Sequence, residues 1–344
     1  MKIRKFEERD FQSLIEYNTS VFNNRDQIEE SIRYRFFYNP RSVETSNEIL
    51  IALDDNNIII GQILMMPVEF NYKGNVFPAY FGMDYFVNKE YRNSLAGMIL
   101  ANKAKDVKYH FGIAFTVNSS KIFRLFKEKN AGNLEVYFRP NVLLPYYNFI
   151  SRSKKNKSCV RNFPFQVKTR GGVFQRIYEP DDILSFSGSW NNDLIEFSRN
   201  RSFLEWRFFF YPDKYIVYKY ISTSNENLGS PIYFVVRPVL WKRMNCILLV
   251  DYRFDLKMKH VFRKILDSTT KLSTTHKFEA TITGCSLPGY KNLLRSKLYF
   301  KIGEKREILT NFQLDDKDFD NKIDEIFVTF ADSDSDFYFG NGKW

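Results

Sequence analysis

The sequence predicts a mixed α/β fold that occurs twice along the chain. Three observations carry this. Strand and helix patterns alternate through about the first 140 residues, the same order of signals returns in the second half, and one basic turn runs from a strand directly into a helix. With 344 residues, 44% of them hydrophobic, the chain has material for two ordinary domains and the composition of a globular protein.

Taken in order, a short strand over 2–6 precedes a helix that Asp10 can cap, with Phe11, Leu14, Ile15, Val21 and Phe22 on one face. A second helix over 26–37 stops before Asn39-Pro40, because the residue preceding a proline disfavours helical angles. Strands follow at 48–53 and 58–70, separated by the hairpin-forming Asp54-Asp55-Asn56-Asn57. Lys73-Gly74-Asn75 turns the chain into a third strand, 76–88. The basic turn 89–95, a helix over 96–108, a strand over 110–117 and a helix opening after Asn118 complete the first half.

The second half repeats this order. Residues 33–40 (RYRFFYNP) match 205–212 (EWRFFFYP) at an offset of 172, and Met66-Pro67-Val68 lines up with Arg237-Pro238-Val239 at 171. Asp84-Tyr85 lines up with Asp251-Tyr252, and the strand from Phe111 with that from Phe278, both at 167. A shared order at a nearly constant offset points to two copies of one domain. The expected division is 1–150, a basic linker 151–162 (SRSKKNKSCVRN), 163–312, and an acidic end 313–344.

Charge and cysteine usage narrow the function class. The net charge of +11 is uneven: residues 313–344 carry nine acidic and three basic side chains, so the rest of the chain holds +17. Such a body attracts an anionic partner, whether nucleic acid, an acidic membrane surface or a phosphorylated ligand; a merely solvated basic surface is the plain alternative. Cys159, Cys246 and Cys285 are widely spaced and odd in number, and the three histidines are far apart. Neither a disulfide framework nor a metal site is expected, and the cytoplasm is the default compartment. No secretory signal opens the chain, and its longest apolar stretch is too short for a bilayer, which needs about 20 residues.

The turn Tyr91-Arg92-Asn93-Ser94-Leu95-Ala96-Gly97 is the chemical centre of the first half. A turn feeding a helix presents free backbone N–H groups and the positive end of the helix dipole to one point, which suits a pyrophosphate. The corresponding residues 254–264 contain no glycine and no such pattern, so only the first copy is expected to bind a pyrophosphate.

Strand, Arg-x-x-Gly-x-Gly/Ala turn, helix, strand and helix-opening asparagine together resemble the GNAT superfamily of CoA-dependent N-acyltransferases. Residues 84–88 resemble its fourth strand, 92–97 its acyl-CoA turn, 111–117 its fifth strand, and Asn118 its helix-opening asparagine; Leu95 stands where the first glycine is usual. The resemblance implies two tandem domains, each a mixed, mostly antiparallel sheet flanked by helices. It also implies direct transfer of an acyl group from acyl-CoA to an amine, with both ligands bound at once. Phe86 and Val87 would line the pantetheine arm, and the Val87 N–H would hold the thioester oxygen. Arg92, Asn93, Ser94, Leu95, Ala96 and Gly97 would hold the pyrophosphate, and Asn118 would contact the pantetheine. The tandem arrangement looks like that of enzymes acylating nucleotide-linked deoxyamino sugars for surface polysaccharide, acting as a monomer or homodimer without membrane insertion.

Other side chains keep two readings. Asp84, in an apolar and aromatic strand, is either the general base or ammonium ligand, or a structural carboxylate like its repeat partner Asp251. The helix after the fifth strand carries Leu125 and Phe126 but no tyrosine to protonate the leaving thiolate, so Tyr137 or water would serve. His110 is a possible base, with a structural or surface role the plainer reading. In the second copy, Arg199, Arg201, Trp206, Arg207 and Arg237 are candidates for a nucleotide diphosphate. Asp251, Arg199 and Arg237 form the expected substrate set, while Trp206 and Arg207 also repeat Tyr34 and Arg35 and so look architectural. Residues 326–336 (IFVTFADSDSD) read as a strand and then an acidic run that binds a cation, neutralises the basic body or, most simply, is a solvated tail. Two competing functions stay open: a peptidoglycan-type aminoacyltransferase using aminoacyl-tRNA, against which the CoA-type turn argues, and a non-enzymatic nucleic-acid-binding protein.

Overall fold

The computed structural model describes residues 1–23, 25, 27–42, 48–104, 106–107, 109–113, 116–141, 163–180, 183, 189–211, 214–223, 229–242, 244–312 and 326–333. The expected linker 151–162 lies outside the described residues, as do 313–325 and 334–344 of the acidic end. In chain order the elements are β1 (Lys2–Lys5), α1 (Phe11–Val21), α2 (Ile28–Ile32), β2 (Ile49–Leu53), β3 (Ile59–Tyr72), β4 (Asn75–Val87), α3 (Ala96–Ala104), β5 (Tyr109–Ile113), α4 (Val117–Leu125) and β6 (Lys129–Pro140). There follow β7 (Gln166–Thr169), β8 (Gly172–Ile177), β9 (Ile195–Phe197), α5 (Arg201–Leu204), β10 (Ile216–Ser222), β11 (Tyr233–Trp241) and β12 (Met244–Arg253). The chain closes with α6 (Lys259–Thr275), β13 (Ala280–Cys285), α7 (Lys291–Ser296), β14 (Phe300–Phe312) and β15 (Ile326–Phe327).

Two compact units result. The first is Met1–Asn133 with Arg306–Ile326, the second Leu134–Lys305 with the chain from Phe327. In the first, the sheet runs β1-β2-β3-β4-β5-β14, antiparallel at every step except β4–β5. In the second it runs β7-β8-β10-β11-β12-β13-β6, antiparallel except β12–β13. Each parallel step is bridged by a helix, α3 or α6, as a parallel crossover requires. A π-helical turn precedes the meander in both units, Arg33–Phe37 in one and Glu205–Phe209 in the other, on the two segments that match in sequence.

Local chemistry sets these elements. Between β2 and β3 the Asp54 Oδ1 accepts from the N–H groups of Asn56 and Ile58, while Asn57 takes a left-handed angle. Lys73 and Gly74 are both left-handed, the geometry of a two-residue hairpin turn between β3 and β4. Asp10 precedes α1, but its carboxylate is taken by Arg4 (2.6 and 2.7 Å) instead of capping that helix. In α3 the small Ala96, Ala101 and Ala104 are fully buried against Ile60, Ile63, Met65 and Val87, which brings the helix close over β3 and β4. Full burial of such a large aliphatic side chain contributes about 1.5–3 kcal/mol.

The expected cut into 1–150 and 163–312 differs from what the chain does, because the two units exchange strands. β5 is completed by β14, from Ile308 opposite Ile113 to Phe312 opposite Tyr109. β13 is completed by β6, from Glu135 opposite Cys285 to Pro140 opposite Ala280. No helix among the described residues is long and apolar enough to cross a membrane.

Candidate functional site

A break in the first unit's sheet creates the site. Gln62 pairs with Phe86 but Leu64 with Met83, so Asp84 and Tyr85 together face Ile63 in a β-bulge. Asp84 is left-handed (φ 48°), an angle aspartate tolerates better than a bulky side chain does. Among the described residues, parallel pairing of β4 with β5 covers Tyr80–His110, Phe81–Phe111 and Gly82–Gly112, and beyond Gly82 the edge of β4 has no partner there. The Asn88 N–H donates to the Ile60 carbonyl, so Phe86 and Asn88 are the bonded positions of the antiparallel ladder. Val87 between them turns its N–H and C=O away from β3, to the unpaired edge. Its carbonyl there accepts from Arg92 Nε at 3.1 Å.

The basic turn follows this edge directly. After a single helical turn at Lys89–Tyr91, the exposed residues Arg92, Asn93, Ser94 and Leu95 lead into α3. Leu95 stands at the N-cap, its carbonyl accepting from the Ile99 N–H. It is not among the left-handed residues, so leucine in place of glycine brings no strain. Ser94 Oγ accepts from the Ala96 N–H at 3.2 Å, and helix geometry leaves the first-turn N–H groups of Gly97 and Met98 facing outwards. A Cβ on Gly97 would stand 2.8 Å from the Tyr85 hydroxyl, so glycine here lets Tyr85 lie against the start of the helix. Burial pushes the Tyr85 phenol up to about 12. The Arg92 guanidinium lies over the Phe86 ring, 5.1 Å from its centroid.

Asn118 is exposed in the first turn of α4, while Thr116 performs the capping, its side chain accepting from the Ser119 N–H. The helix therefore opens at Val117, before Asn118 and not after it. Glu307 of β14 holds this helix in place: its carboxylate accepts from Ser120 Oγ at 2.5 Å and Asn130 Nδ2 at 2.6 Å, and pairs with Arg124.

The two repeat-related aspartates have different surroundings. Asp84, its side chain 3% exposed, accepts from Arg25 at 2.6 Å through Oδ1. Its Oδ2 has no hydrogen-bond partner among the described residues and lies 3.5 Å from Arg35 Nη1. Asp251 is saturated: it receives Arg199 (2.9 and 3.1 Å), Arg253 (2.8 Å), Tyr233 (2.9 Å) and Thr329 (2.8 Å). Burial acts to raise its carboxyl, but Arg199 and Arg253 hold it well below the usual carboxylate range. Asp251 and Arg199 were expected to bind substrate; both are completely buried and committed to each other, so they present nothing to a ligand. Arg237 is half-buried on β11 with its guanidinium 5.8 Å from the Tyr215 ring. Of the other second-copy candidates, Trp206 and Arg207 are buried in the π-helical turn, and Arg201 pairs with Glu205 one helical turn on.

The acidic end corrects a further expectation. Residues 326–333 are not a solvated tail: Asp332 is buried with its carboxylate on Arg199 at 2.5 Å and Arg253 at 3.5 Å. Phe330 packs against Gly284 and the Val328 N–H donates to Ser286, so this segment lies where β12 and β13 part. No group of three or more His, Cys, Asp or Glu side chains among the described residues is placed to hold a metal ion. Tyr137, weighed as a proton donor, is buried in the second unit with its hydroxyl on Glu135 at 2.7 Å. His110 is completely buried, its Nδ1 2.8 Å from Glu128 Oε1. Sequence reasoning missed Arg25, Phe123, Glu128 and the packing of residues 326–333 where β12 and β13 part. An arginine meets the aspartate in each unit, Arg25 on Asp84 and Arg199 on Asp251, a likeness that only the fold reveals.

No family model matches the chain, and no curated protein matches it in sequence. Solved structures do match its fold. A GCN5-related N-acetyltransferase from Anabaena variabilis ATCC 29413 is 11% identical, with 90% of this chain and 72% of that one covered at a TM-score of 0.58. The N-myristoyltransferase of Saccharomyces cerevisiae with bound myristoyl-CoA is 10% identical, with 91% and 83% covered at 0.55. A GCN5-related N-acetyltransferase from Kribbella flavida is 8% identical, with 90% and 70% covered at 0.53. The chain thus has the fold shared by GCN5-related N-acetyltransferases and N-myristoyltransferases.

Proposed function

We propose that this protein is an acyl-CoA-dependent N-acyltransferase, built from two copies of one domain, whose first unit holds the acyl donor. The observation that carries this is the adjacency of three features: the unpaired edge of β4 with the Val87 N–H on it, the arginine-led turn 92–95, and the outward N–H groups at the start of α3. The turn and helix start bind the pyrophosphate; Phe86 and the unpaired edge receive the pantetheine, with Asn118 on the facing helix. The Val87 N–H donates to the thioester oxygen as it becomes an oxyanion. The acceptor nitrogen attacks the thioester carbon, the C–S bond breaks, and CoA leaves as thiolate. Asp84, whose Oδ2 has no hydrogen-bond partner among the described residues, takes the proton from the acceptor amine.

The acceptor we propose is the amino group of a nucleotide-linked deoxyamino sugar, supported by the +17 balance over residues 1–312, with the half-buried Arg237 and the exposed Arg201 the accessible substrate-side arginines among those weighed from sequence. Isothermal titration of the folded protein with CoA and acetyl-CoA tests the donor site; no heat at millimolar ligand overturns it. Mass-spectrometric detection of an acylated nucleotide sugar, against an acylated aminoglycoside and a peptide amine as alternative acceptors, tests the acceptor.

A further inference from the structure

We propose that Tyr85, Phe123 and His110 form an aromatic floor under the parting of β4 and β5 that restricts the acyl donor to short acyl chains. The inference rests on the reading that this gap receives the thioester. A donor anchored at the start of α3 with its carbonyl at Val87 directs its acyl tail along β4, towards the apex at Gly82–Gly112 where the ladder closes. The tail then has two sides of the sheet to choose between, and both are filled.

On the side of α3 and α4 three rings follow one another. Tyr85 meets Phe123 edge-on with centroids 5.2 Å apart, and Phe123 stacks on His110 at 5.9 Å and 16°. The imidazole continues beneath the apex: its Nε2 lies 2.3 Å from where a Cβ on Gly82 would be. The space at that position is therefore already used by His110, which accounts for the glycine. Phe123 and His110 are 1% and 0% exposed, and the buried Glu128 carboxylate pins the imidazole at 2.8 Å. A dense array of this kind does not yield to an added chain without moving a ring.

On the opposite side the bulge presents Asp84 with Arg25 and Arg35, and Arg35 Nη1 lies 3.6 Å from Met83 Sδ. Below them Phe81 packs on Phe111 at 5.0 Å. A methylene chain laid there would strip buried ionic groups of their surroundings without compensating them. Beyond the carbonyl carbon only a small substituent is accommodated. Tyr85, Phe123 and His110 are thus specificity-determining residues, with Glu128 positioning the last of them.

Competition binding to the intact protein with CoA, acetyl-, butyryl- and octanoyl-CoA tests this. Acetyl-CoA should bind within about threefold of CoA, and octanoyl-CoA at least tenfold more weakly than acetyl-CoA. Phe123→Leu, which shortens the floor while keeping it apolar, should raise the octanoyl-to-acetyl affinity ratio at least fivefold. Octanoyl-CoA binding as tightly as acetyl-CoA in the unchanged protein overturns the proposal. So does an unchanged ratio in a Phe123→Leu protein that still binds CoA. Failure of CoA itself to bind removes the donor site and the floor together, a result distinct from either of these.

Discussion

At the scale of single residues, Leu95 separates a phosphate cradle from an ordinary helix start. It occupies the N-cap of α3 with 64% of its surface exposed. Aspartate is a favoured N-cap and interacts well with the helix dipole, by about 1 kcal/mol. Leu95→Asp should therefore hold or raise the thermal midpoint, measured by circular dichroism. The same carboxylate would face the pyrophosphate, and the CoA affinity should fall at least tenfold, roughly 1.4 kcal/mol or more. A variant that binds CoA unchanged contradicts the cradle. The aspartates separate in the same way. Asp251→Ala leaves Arg199 and Arg253 buried without their main counter-charge, and should cost about 3–5 kcal/mol in urea unfolding. Asp84→Asn keeps the shape of a less saturated site. It should lower turnover about a hundredfold while losing much less stability. If the two variants lose equal stability and Asp84→Asn keeps its turnover, Asp84 is architectural.

Among the elements, the strand–turn–helix centred on Arg92 was legible from sequence because its chemistry is local. Basic turn, exposed residues and the small residues of α3 all lie within one short stretch. The bulge at Asp84 was not legible, since it depends on register with β3, and a slip of one residue leaves no mark in either strand's composition. The role of Gly82 was hidden for a similar reason: its neighbour His110 comes from the adjacent strand. Asn118 was placed one step wrong because Thr116, two residues earlier, caps the helix more effectively. β6 supplies a pH test at this scale. Burial pushes the Glu135 carboxyl up, but the Tyr137 hydroxyl and the Lys301 and Lys291 ammonium groups bring it down to about 2, from an ordinary value of 4.5. A carboxyl depressed on folding adds stability above its unfolded pKa and loses it as the pH falls towards the folded one. The thermal midpoint should therefore fall between about pH 4.5 and 2. Glu135→Gln should flatten that part of the curve and lower the plateau at neutral pH.

For the whole molecule, the sequence offsets pointed to two domains but not to which strands each compact unit contains. Sequence offsets report correspondence, whereas strand exchange is a matter of which partner a strand finds. Residues 326–333 depart from a solvated tail on the same ground, since Asp332 finds its arginines on other segments of the chain. One expected outcome follows for dissection. A fragment ending at residue 150 retains β5 but lacks the strand that completes it, so thermal unfolding followed by circular dichroism should show no cooperative transition. A sharp transition in that fragment would mean that β14 is dispensable to the first unit.

The exchange also has a consequence for synthesis. Ile113 leaves the ribosome about 195 residues before its partner Ile308. At roughly 5–20 residues per second, β5 waits on the order of 10–40 s with an open edge. An unpaired strand edge is a template for wrong pairing, and β6, the next strand made after α4, is the first one available. A transient pairing of β5 with β6 in the nascent chain, dissolved when β14 arrives, would give this protein a slow final step that neither unit, once complete, betrays. Its newborn chains are accordingly expected to depend on holding factors more than their finished stability suggests.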